Sequence, residues 1–305
     1  MKQSNIWAAL SLLLTAAIWG LSYSEAADAM DTMSPLFFVF LRYLLGAAML
    51  LPWLFFGKKR PSKSLIFGGV ICGICLAGGE ILQQYGLLYT SAGKAGFLTA
   101  LYVIMIPLLT IFGKNKATGK IWIAALLSVA GAYLLCTNGS FEKIGNRGDI
   151  LMIICALFFA FQFIAIAKFA PKANPMHLAA VQFLTVAVLS GAATWYAGES
   201  CSWDAVVDTA RPLLFCGLIA IGFACTVQIV AQKYVHPATS SIILSGASVF
   251  AVLWGYLLRD ETYTTLNLVG CGMIFAAIVL VQLPSKSSGK GSSNSQKKKS
   301  SDKKH

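Results

Sequence analysis

The chain has 305 residues, of which 57% are hydrophobic and only 12% are charged, and its mean hydropathy is +0.71. A soluble globular protein carries about 25% charged residues, so this composition excludes an ordinary soluble enzyme and excludes disorder for the bulk of the chain. The formal net charge of +12 does not indicate nucleic-acid binding, because seven of the lysines lie in a C-terminal tail rich in Lys and Ser. The composition is typical of a multi-pass protein of the lipid bilayer.

Ten apolar runs follow one another along the chain, each long enough to cross a hydrocarbon core of about 30 Å. We expect each run to be helical, because lipid offers no hydrogen-bond partner to an unpaired peptide group. The predicted spans are residues 6–26, 36–56, 65–85, 92–112, 121–138, 149–169, 176–197, 212–233, 239–258 and 266–283.

Basic residues are distributed unevenly between the two sides of these spans. If the N-terminus is cytoplasmic, 18 of the 24 Lys and Arg residues lie in cytoplasmic segments, five lie in external segments, and Arg42 lies within the second span. Positive charge is enriched on the cytoplasmic side of membrane proteins. We therefore predict a protein of the cell (inner) membrane with both termini in the cytoplasm.

The chain contains a weak internal repeat. A displacement of 140 residues superposes Trp19-Gly20 on Phe159-Ala160 and Arg42 on Gln182. Further along the chain, a displacement of 146 residues superposes Ala92 on Ala238 and Thr118 on Thr264. The repeat predicts two five-helix units, residues 1–140 and 141–284, followed by a disordered cytoplasmic tail, residues 285–305. Because five is odd, the second unit enters the membrane from the opposite side, and inverted repeats of this kind characterise secondary transporters.

Glu80 is the only acidic residue well inside a predicted span. It shares a helix face with Gln83 and Gln84, at spacings of three and four residues. This face could form the polar wall of a substrate cavity, where Glu80 binds a cationic group or carries a coupling proton. The alternative is a carboxyl group that neighbouring helices satisfy, or one that lies near the outer interface in contact with water.

Arg42 is the second charged residue inside a predicted span, and burying it unpaired costs several kcal/mol. It could hold a substrate carboxylate directly. We favour a supporting role behind the substrate contacts, for example through an ion pair with Glu80.

A second polar face lies on the eighth span, where Gln228 and Gln232 are four residues apart. Since that span is the repeat counterpart of the third, we predict that both faces line one central cavity, although hydrogen bonding between helices is an equal alternative. Aromatic residues near the same level could line this cavity or anchor the protein at the interface; they are Trp19, Tyr23, Tyr102 and Trp254. Pro107 interrupts the hydrogen bonds of the fourth span and marks either a gating bend or a simple kink.

Several enzyme signatures are absent from the sequence. It has no H-E-x-x-H, P-loop or G-x-S-x-G motif. We expect no metal and no cofactor, so transport would be facilitated or driven by a gradient, with protons as the candidate coupling ion. The sequence leaves a monomer and a homodimer equally open.

These motifs together resemble the EamA family of the drug/metabolite transporter superfamily. The resemblance rests on Trp19-Gly20 at the end of the first span, on Phe40-Leu41-Arg42-Tyr43, on the stretch from Tyr89 to Tyr102 that leads to Pro107, and on Leu258-Arg259-Asp260-Glu261-Thr262. It implies an all-α membrane carrier with ten helices in two inverted repeats. Members mostly export small metabolites such as amino acids, purines or drugs, and nucleotide-sugar and triose-phosphate carriers share the fold.

The family's acidic residue after the ninth span matches Glu261, whereas the first half has Asn115 at the corresponding position. We therefore expect Glu261 to be structural and to cap the tenth helix. The resulting hypothesis is a secondary transporter that moves a small metabolite outward by alternating access. Its alternatives are a facilitator or exchanger of nucleotide sugars or sugar phosphates, and a membrane sensor or scaffold without flux.

Overall fold

The computed structural model describes residues 3–56, 61–90, 92–111, 117–139 and 145–283, and this part of the chain contains helices and no strand. The predicted tail and the predicted boundary between residues 140 and 141 lie outside it. The helices are α1 (Gln3–Met30), α2 (Pro35–Phe56), α3 (Lys63–Leu87), α4 (Ala92–Ala100), α5 (Tyr102–Leu109), α6 (Gly119–Thr137), α7 (Arg147–Phe169), α8 (Pro175–Tyr196), α9 (Trp203–Asp208), α10 (Ala210–Leu214), α11 (Thr226–Ala231), α12 (Pro237–Leu244), α13 (Ala247–Arg259) and α14 (Thr265–Gln282), with a 3-10 turn at Ala170–Lys172 and a π-helical segment at Phe215–Cys225.

Within the described residues, nine helical segments are long and apolar enough to cross a membrane, and a shorter apolar segment, Lys94–Leu109, occupies the fourth position. The all-α membrane fold is therefore confirmed.

Several helices begin with a side-chain cap at the predicted start of a span. Asn146 and Asp149 form a reciprocal capping box at the start of α7, and Thr264 and Asn267 form another at the start of α14. These caps satisfy peptide N–H groups that have no partner within the helix. The expectation that Glu261 caps the tenth helix is wrong, because Thr264 performs that function.

The fourth and ninth spans are each interrupted by a short turn, whereas the sequence analysis predicted a bend or kink only in the fourth, at Pro107. The fourth breaks at Leu101 between α4 and α5, and Pro107 lies inside α5 rather than at the break. The ninth breaks at Ser245 and Gly246, between α12 and α13. Displacing Leu101 by 146 residues gives Ala247, so the two interruptions fall at equivalent positions of the repeat. Paired interruptions of this kind accompany substrate sites in inverted-repeat transporters.

The eighth span is also irregular, because its centre is π-helical over Phe215–Cys225. Two of its carbonyl groups accept hydrogen bonds from α1: Trp19 Nε1 donates to Ala220 O over 3.2 Å, and Thr15 Oγ1 donates to Ala224 O over 3.2 Å. Segments of π-helix are rare and recur at functional sites. The first and eighth spans are thus joined by polar contacts in the centre of the bundle.

Contacts between the halves follow the predicted repeat. The second span packs against the seventh (α2 on α8) and the fifth against the tenth (α6 on α14), so each of these spans contacts its own repeat counterpart. The third packs against the sixth (α3 on α7), and the counterpart pair, the eighth and the first, is also in contact. A two-fold axis that relates the two halves generates these pairs.

Glycine permits the closest of these approaches, between α6 and α14. A Cβ atom on Gly131 would stand 2.7 Å from the carbonyl oxygen of Gly270, and one on Gly270 would stand 2.6 Å from the carbonyl oxygen of Gly131. Small residues allow membrane helices to pack backbone against backbone. The fifth and tenth spans therefore depend on both glycines.

We predict that Gly270→Ala lowers the thermal unfolding midpoint of the detergent-solubilised protein, because overpacking typically costs about 1–3 kcal/mol. Gly272→Ala is the matched control, since nothing lies within 4 Å of a Cβ at that position on the same helix. Alanine favours the helix over glycine, so the control should be neutral or stabilising. Equal midpoints for the two variants would contradict the close contact.

Candidate functional site

The centre of the candidate site is an ion pair between Arg42 on α2 and Glu80 on α3, at side-chain exposures of 13% and 11%. Arg42 Nη2 donates to Glu80 Oε2, and the hydroxyl group of Tyr43 donates to Glu80 Oε1 over 2.8 Å. Both carboxylate oxygens thus have a partner. The pairing that the sequence analysis offered as an alternative to substrate binding is present.

Arg42 is only partly satisfied by this arrangement. Its guanidinium lies 5.3 Å from the ring centre of Phe38 and 5.6 Å from that of Tyr43, which are cation–π distances. Its Nε atom is buried and has no hydrogen-bond partner among the described residues. The guanidinium therefore retains a donor for an acceptor that the described protein atoms do not supply.

Tyr23 marks an open space beside this ion pair. It lies within electrostatic range of Glu80, Arg42, Cys136 and Cys155, which belong to four other spans, yet 55% of its surface is exposed. A side chain surrounded in this way, and still exposed, faces an internal space rather than lipid. The space lies at the end of the bundle where α1 ends.

The other predicted aromatic residues have partners in the protein. The rings of Tyr102 and Phe163 stack with centres 5.4 Å apart, and Tyr102 lies within electrostatic range of Tyr23. Trp19 and Trp254 both donate their indole N–H to a backbone carbonyl, Trp19 to Ala220 and Trp254 to Ala17 over 3.0 Å. The two tryptophans thus join the first span to the eighth and ninth.

Gln83 and Gln84 lie beside Glu80 on α3, as predicted, but in different environments. Gln83 is half-buried, and its Nε2 atom is 3.5 Å from Thr99 Oγ1, two residues before the break of the fourth span. Gln84 is buried, and its Oε1 atom has no partner among the described residues. The polar face of α3 therefore extends from the ion pair to the break.

Gln228 and Gln232 are not joined to the Glu80 cluster by any hydrogen bond within the described part of the chain. Gln228 and Gln232 are each 2% exposed and lie at the C-terminal end of the eighth span. Glu80 lies in the C-terminal half of α3, toward the opposite side of the bundle. Gln228 Nε2 and both polar atoms of the Gln232 amide lack partners there. A buried polar group without a partner costs about 1–3 kcal/mol, so these amides destabilise the present conformation.

The two faces of the bundle are closed to different extents. We name the end where α1 begins the N-terminal face and the other end the distal face. At the N-terminal face, α12 packs against α5, α6 and α7 of the first half. Its counterpart α4, at the distal face, has no comparable packing on α13, α14 or α1 in the described structure. The interface between the halves is therefore closed at the N-terminal face and open beside Tyr23.

Apolar side chains from both halves fill the closed end, among them Leu12, Ile106, Ile242 and Ile278, each at most 4% exposed. A buried hydrogen bond crosses the same region, where the hydroxyl groups of Ser128 and Ser245 are 2.8 Å apart. Since Ser245 lies at the break of the ninth span, this contact ties the break to the fifth span.

A second ion pair, which the sequence analysis missed, connects Lys94 on α4 with Asp149 on α7 over 2.8 Å, at side-chain exposures of 8% and 0%. Asp149 also accepts hydrogen bonds from Thr90 and from the backbone of Gly145 and Asn146. Lys94 and Asp149 each lie at the start of a predicted span, residues 92–112 and 149–169 respectively. The only signal in the sequence was that these two residues carry opposite charges and lie on the same predicted side of the membrane. Tyr43 was missed although it follows Arg42 directly.

We predict that Arg42→Met lowers the unfolding midpoint strongly, because removing one partner of a buried ion pair costs about 3–5 kcal/mol. The double variant Arg42→Met/Glu80→Met should regain part of that loss, since no unpaired charge remains. Arg259→Met is the control, because Arg259 pairs with Asp28 at side-chain exposures of 35% and 51%, where pairs contribute about 0–1 kcal/mol. A double variant as unstable as the sum of the single variants would show that the pair is not coupled.

We further predict that a cysteine replacing Tyr23 reacts with a membrane-impermeant maleimide added at the distal face. Leu12→Cys, on the same helix but 0% exposed, should react more slowly by about an order of magnitude or more, following the difference in exposure. The measurement is mass-spectrometric labelling of oriented vesicles. Equal rates at the two positions would contradict an opening at the distal face.

Comparisons with known proteins agree with this architecture. A model of the EamA-like transporter family matches residues 6–137 and 146–283. An "Uncharacterized transporter" of Archaeoglobus fulgidus is 31% identical over 92% of this chain and 87% of its own length. The "Uncharacterized inner membrane transporter YedA" of Escherichia coli is 27% identical, with 87% of each chain covered.

A solved structure entitled "Crystal structure of protein" superposes with a TM-score of 0.76 and 16% identity, over 92% of this chain and 97% of that chain. At that identity the likeness shows the fold alone. The family match spans nearly all the predicted spans, and the archaeal relative is similar over most of its length. The chain therefore belongs to the EamA-like transporter family and is a multi-pass membrane transporter.

Proposed function

We propose that this transporter is a secondary carrier that moves a small metabolite by alternating access between two inverted halves, residues 1–140 and 141–284. The observations that support the proposal are the exposure of Tyr23 near the Arg42–Glu80 pair and the packing of α12 against the first half at the N-terminal face. A binding site reached from one face at a time is the requirement for alternating access. No catalytic role is needed to account for these residues.

The charge of the site supports a substrate with few charges of its own, such as an amino acid, a nucleobase or an amphipathic drug-like solute. A sugar-phosphate or nucleotide-sugar carrier would need several cationic groups free to bind phosphate. Arg42 is paired with Glu80 and Lys94 is paired with Asp149. Substrate contacts would come from Glu80, Gln83, Gln84, Tyr23 and Tyr102, with Arg42 behind them.

Direction and coupling are part of the same proposal. With the N-terminus in the cytoplasm, as the distribution of basic residues predicts, the distal face is external and the open space is outward-facing. We propose export, with Glu80 exchanging a proton for its contacts with Arg42 and Tyr43. The protein would act as a monomer or a homodimer.

We predict that proteoliposomes take up at least one member of a panel of amino acids, nucleobases and amphipathic cations with saturable kinetics. An imposed pH gradient should accelerate this flux, and Glu80→Gln should abolish the acceleration, because the amide cannot exchange a proton in its place. Asp28→Asn is the matched control, because it neutralises a carboxylate in the exposed pair with Arg259, outside the proposed substrate contacts.

Saturable flux that ignores both the gradient and the substitution would leave an exchanger or facilitator and make Glu80 structural. Stable capture of a partner protein, without flux of any panel member, would favour a sensor or scaffold and overturn the proposal.

A further inference from the structure

Buried polar atoms without a partner among the described residues occur on three side chains near the closed end of the bundle: Gln228, Gln232 and Ser240. Their exposures are 2%, 2% and 0%, and Gln228 Nε2, both amide atoms of Gln232 and Ser240 Oγ have no hydrogen-bond partner within the described structure. Nearby hydroxyl groups differ in this respect, since Ser241 Oγ donates to Ala238 O over 2.9 Å. Four of the eight buried polar atoms that lack a hydrogen-bond partner among the described residues belong to these three side chains.

These three residues lie on elements that pack against the same helix. Gln228 and Gln232 are one turn apart at the end of the eighth span, and Ser240 lies on the first turn of α12 across a short connection. Both α11 and α12 contact α1. Two hydrogen bonds, from Trp19 to Ala220 and from Thr15 to Ala224, also join α1 to the eighth span.

The three side chains themselves carry no formal charge, and Lys233 follows Gln232 directly along the chain. Lys233 directs its amino group to the carbonyl of Ala173, and the His236 side chain accepts from the backbone N–H of Ala238. The three unpartnered residues offer amide donors and an amide acceptor together with a hydroxyl group that can do both. This combination matches a neutral ligand group that both donates and accepts hydrogen bonds, such as a carboxamide, a lactam or a hydroxyl.

We propose that Gln228, Gln232 and Ser240 form the entry site for the solute at the N-terminal face, where they bind a neutral donor–acceptor group of the transported molecule. This rests on the proposed carrier function. When the halves exchange conformations, α12 separates from α5, α6 and α7, and α4 takes up the equivalent contacts at the distal face. The amides then meet water or solute, which supplies the missing partners. The solute would thus meet an uncharged site at one face and the Arg42–Glu80 pair at the other.

The first test labels Ser240→Cys with a membrane-impermeant maleimide in oriented vesicles, with wild-type protein as the background for the native cysteines. We expect labelling from the N-terminal face only. Uracil or nicotinamide at saturating concentration should slow it at least fivefold, while glutamate and tetraphenylphosphonium leave it unchanged. Ser241→Cys is the matched control, since Ser241 is equally buried but partnered, and these compounds should not protect it.

Two results would overturn the inference. One is the absence of labelling at Ser240→Cys under every condition, which would mean that the side chain stays buried throughout the cycle. The other is protection by the charged compounds to the same extent as by the neutral ones.

The second test compares Gln232→Met with Gln232→Asn in flux measurements from each face. Methionine preserves the side-chain volume and removes the unpartnered amide, so we expect Gln232→Met to raise the unfolding midpoint. We also expect it to raise the half-saturation concentration for solute added at the N-terminal face at least tenfold. The value from the distal face should change less than threefold, and asparagine should restore part of the N-terminal value. Equal effects from both faces would overturn the inference.

The two proposals fail in different ways. If the wild-type protein shows saturable flux but Ser240→Cys is never labelled, the entry site is contradicted and the carrier function still holds. If uracil or nicotinamide slows the labelling but the protein transports no member of the panel, the carrier function is contradicted and the binding site is supported.

Discussion

The hydrocarbon core of a membrane offers no partner to an unpaired peptide group, and the architecture of this protein follows from that constraint. A span can break only where protein surrounds the break. The ninth span breaks at Ser245, whose hydroxyl group lies 2.8 Å from that of Ser128. Two carbonyl oxygens of the π-helical segment in the eighth span accept hydrogen bonds from side chains of α1. Irregular backbone is therefore concentrated between the halves, where a solute would have to pass.

Sequence analysis predicted the spans well because their signal is a sum over about 20 residues. It also anticipated the pairing of Arg42 with Glu80, since neither charge is stable alone in lipid. It did not anticipate the breaks at Leu101 and Ser245, because both lie in apolar runs and depend on contacts with distant spans. Pro107 lies within α5 and Pro52 lies within α2, so neither proline marks a break. Packing between spans, which no local pattern encodes, decided where the helices end.

The separation of the two polar faces has the same origin. An inverted repeat places the polar end of the third span near the distal face and that of its counterpart, the eighth, near the N-terminal face. Trp19 packs against both large apolar clusters of the bundle. Sequence alone shows that Glu80 and Gln228 lie on equivalent helices. The predicted inversion places equivalent ends of these helices at opposite faces, which the prediction of one shared cavity did not take into account.

The pairing of buried charges also determines how the protein responds to voltage. Moving one elementary charge across a potential of 100 mV is worth about 2.3 kcal/mol. Arg42 with Glu80, and Lys94 with Asp149, are joined as pairs of opposite sign, and a pair that moves as a unit carries no net charge. The membrane potential therefore does no net work on these two pairs when the halves rearrange. Net charge that moves across the membrane with these helices is therefore carried by the solute and its accompanying ions.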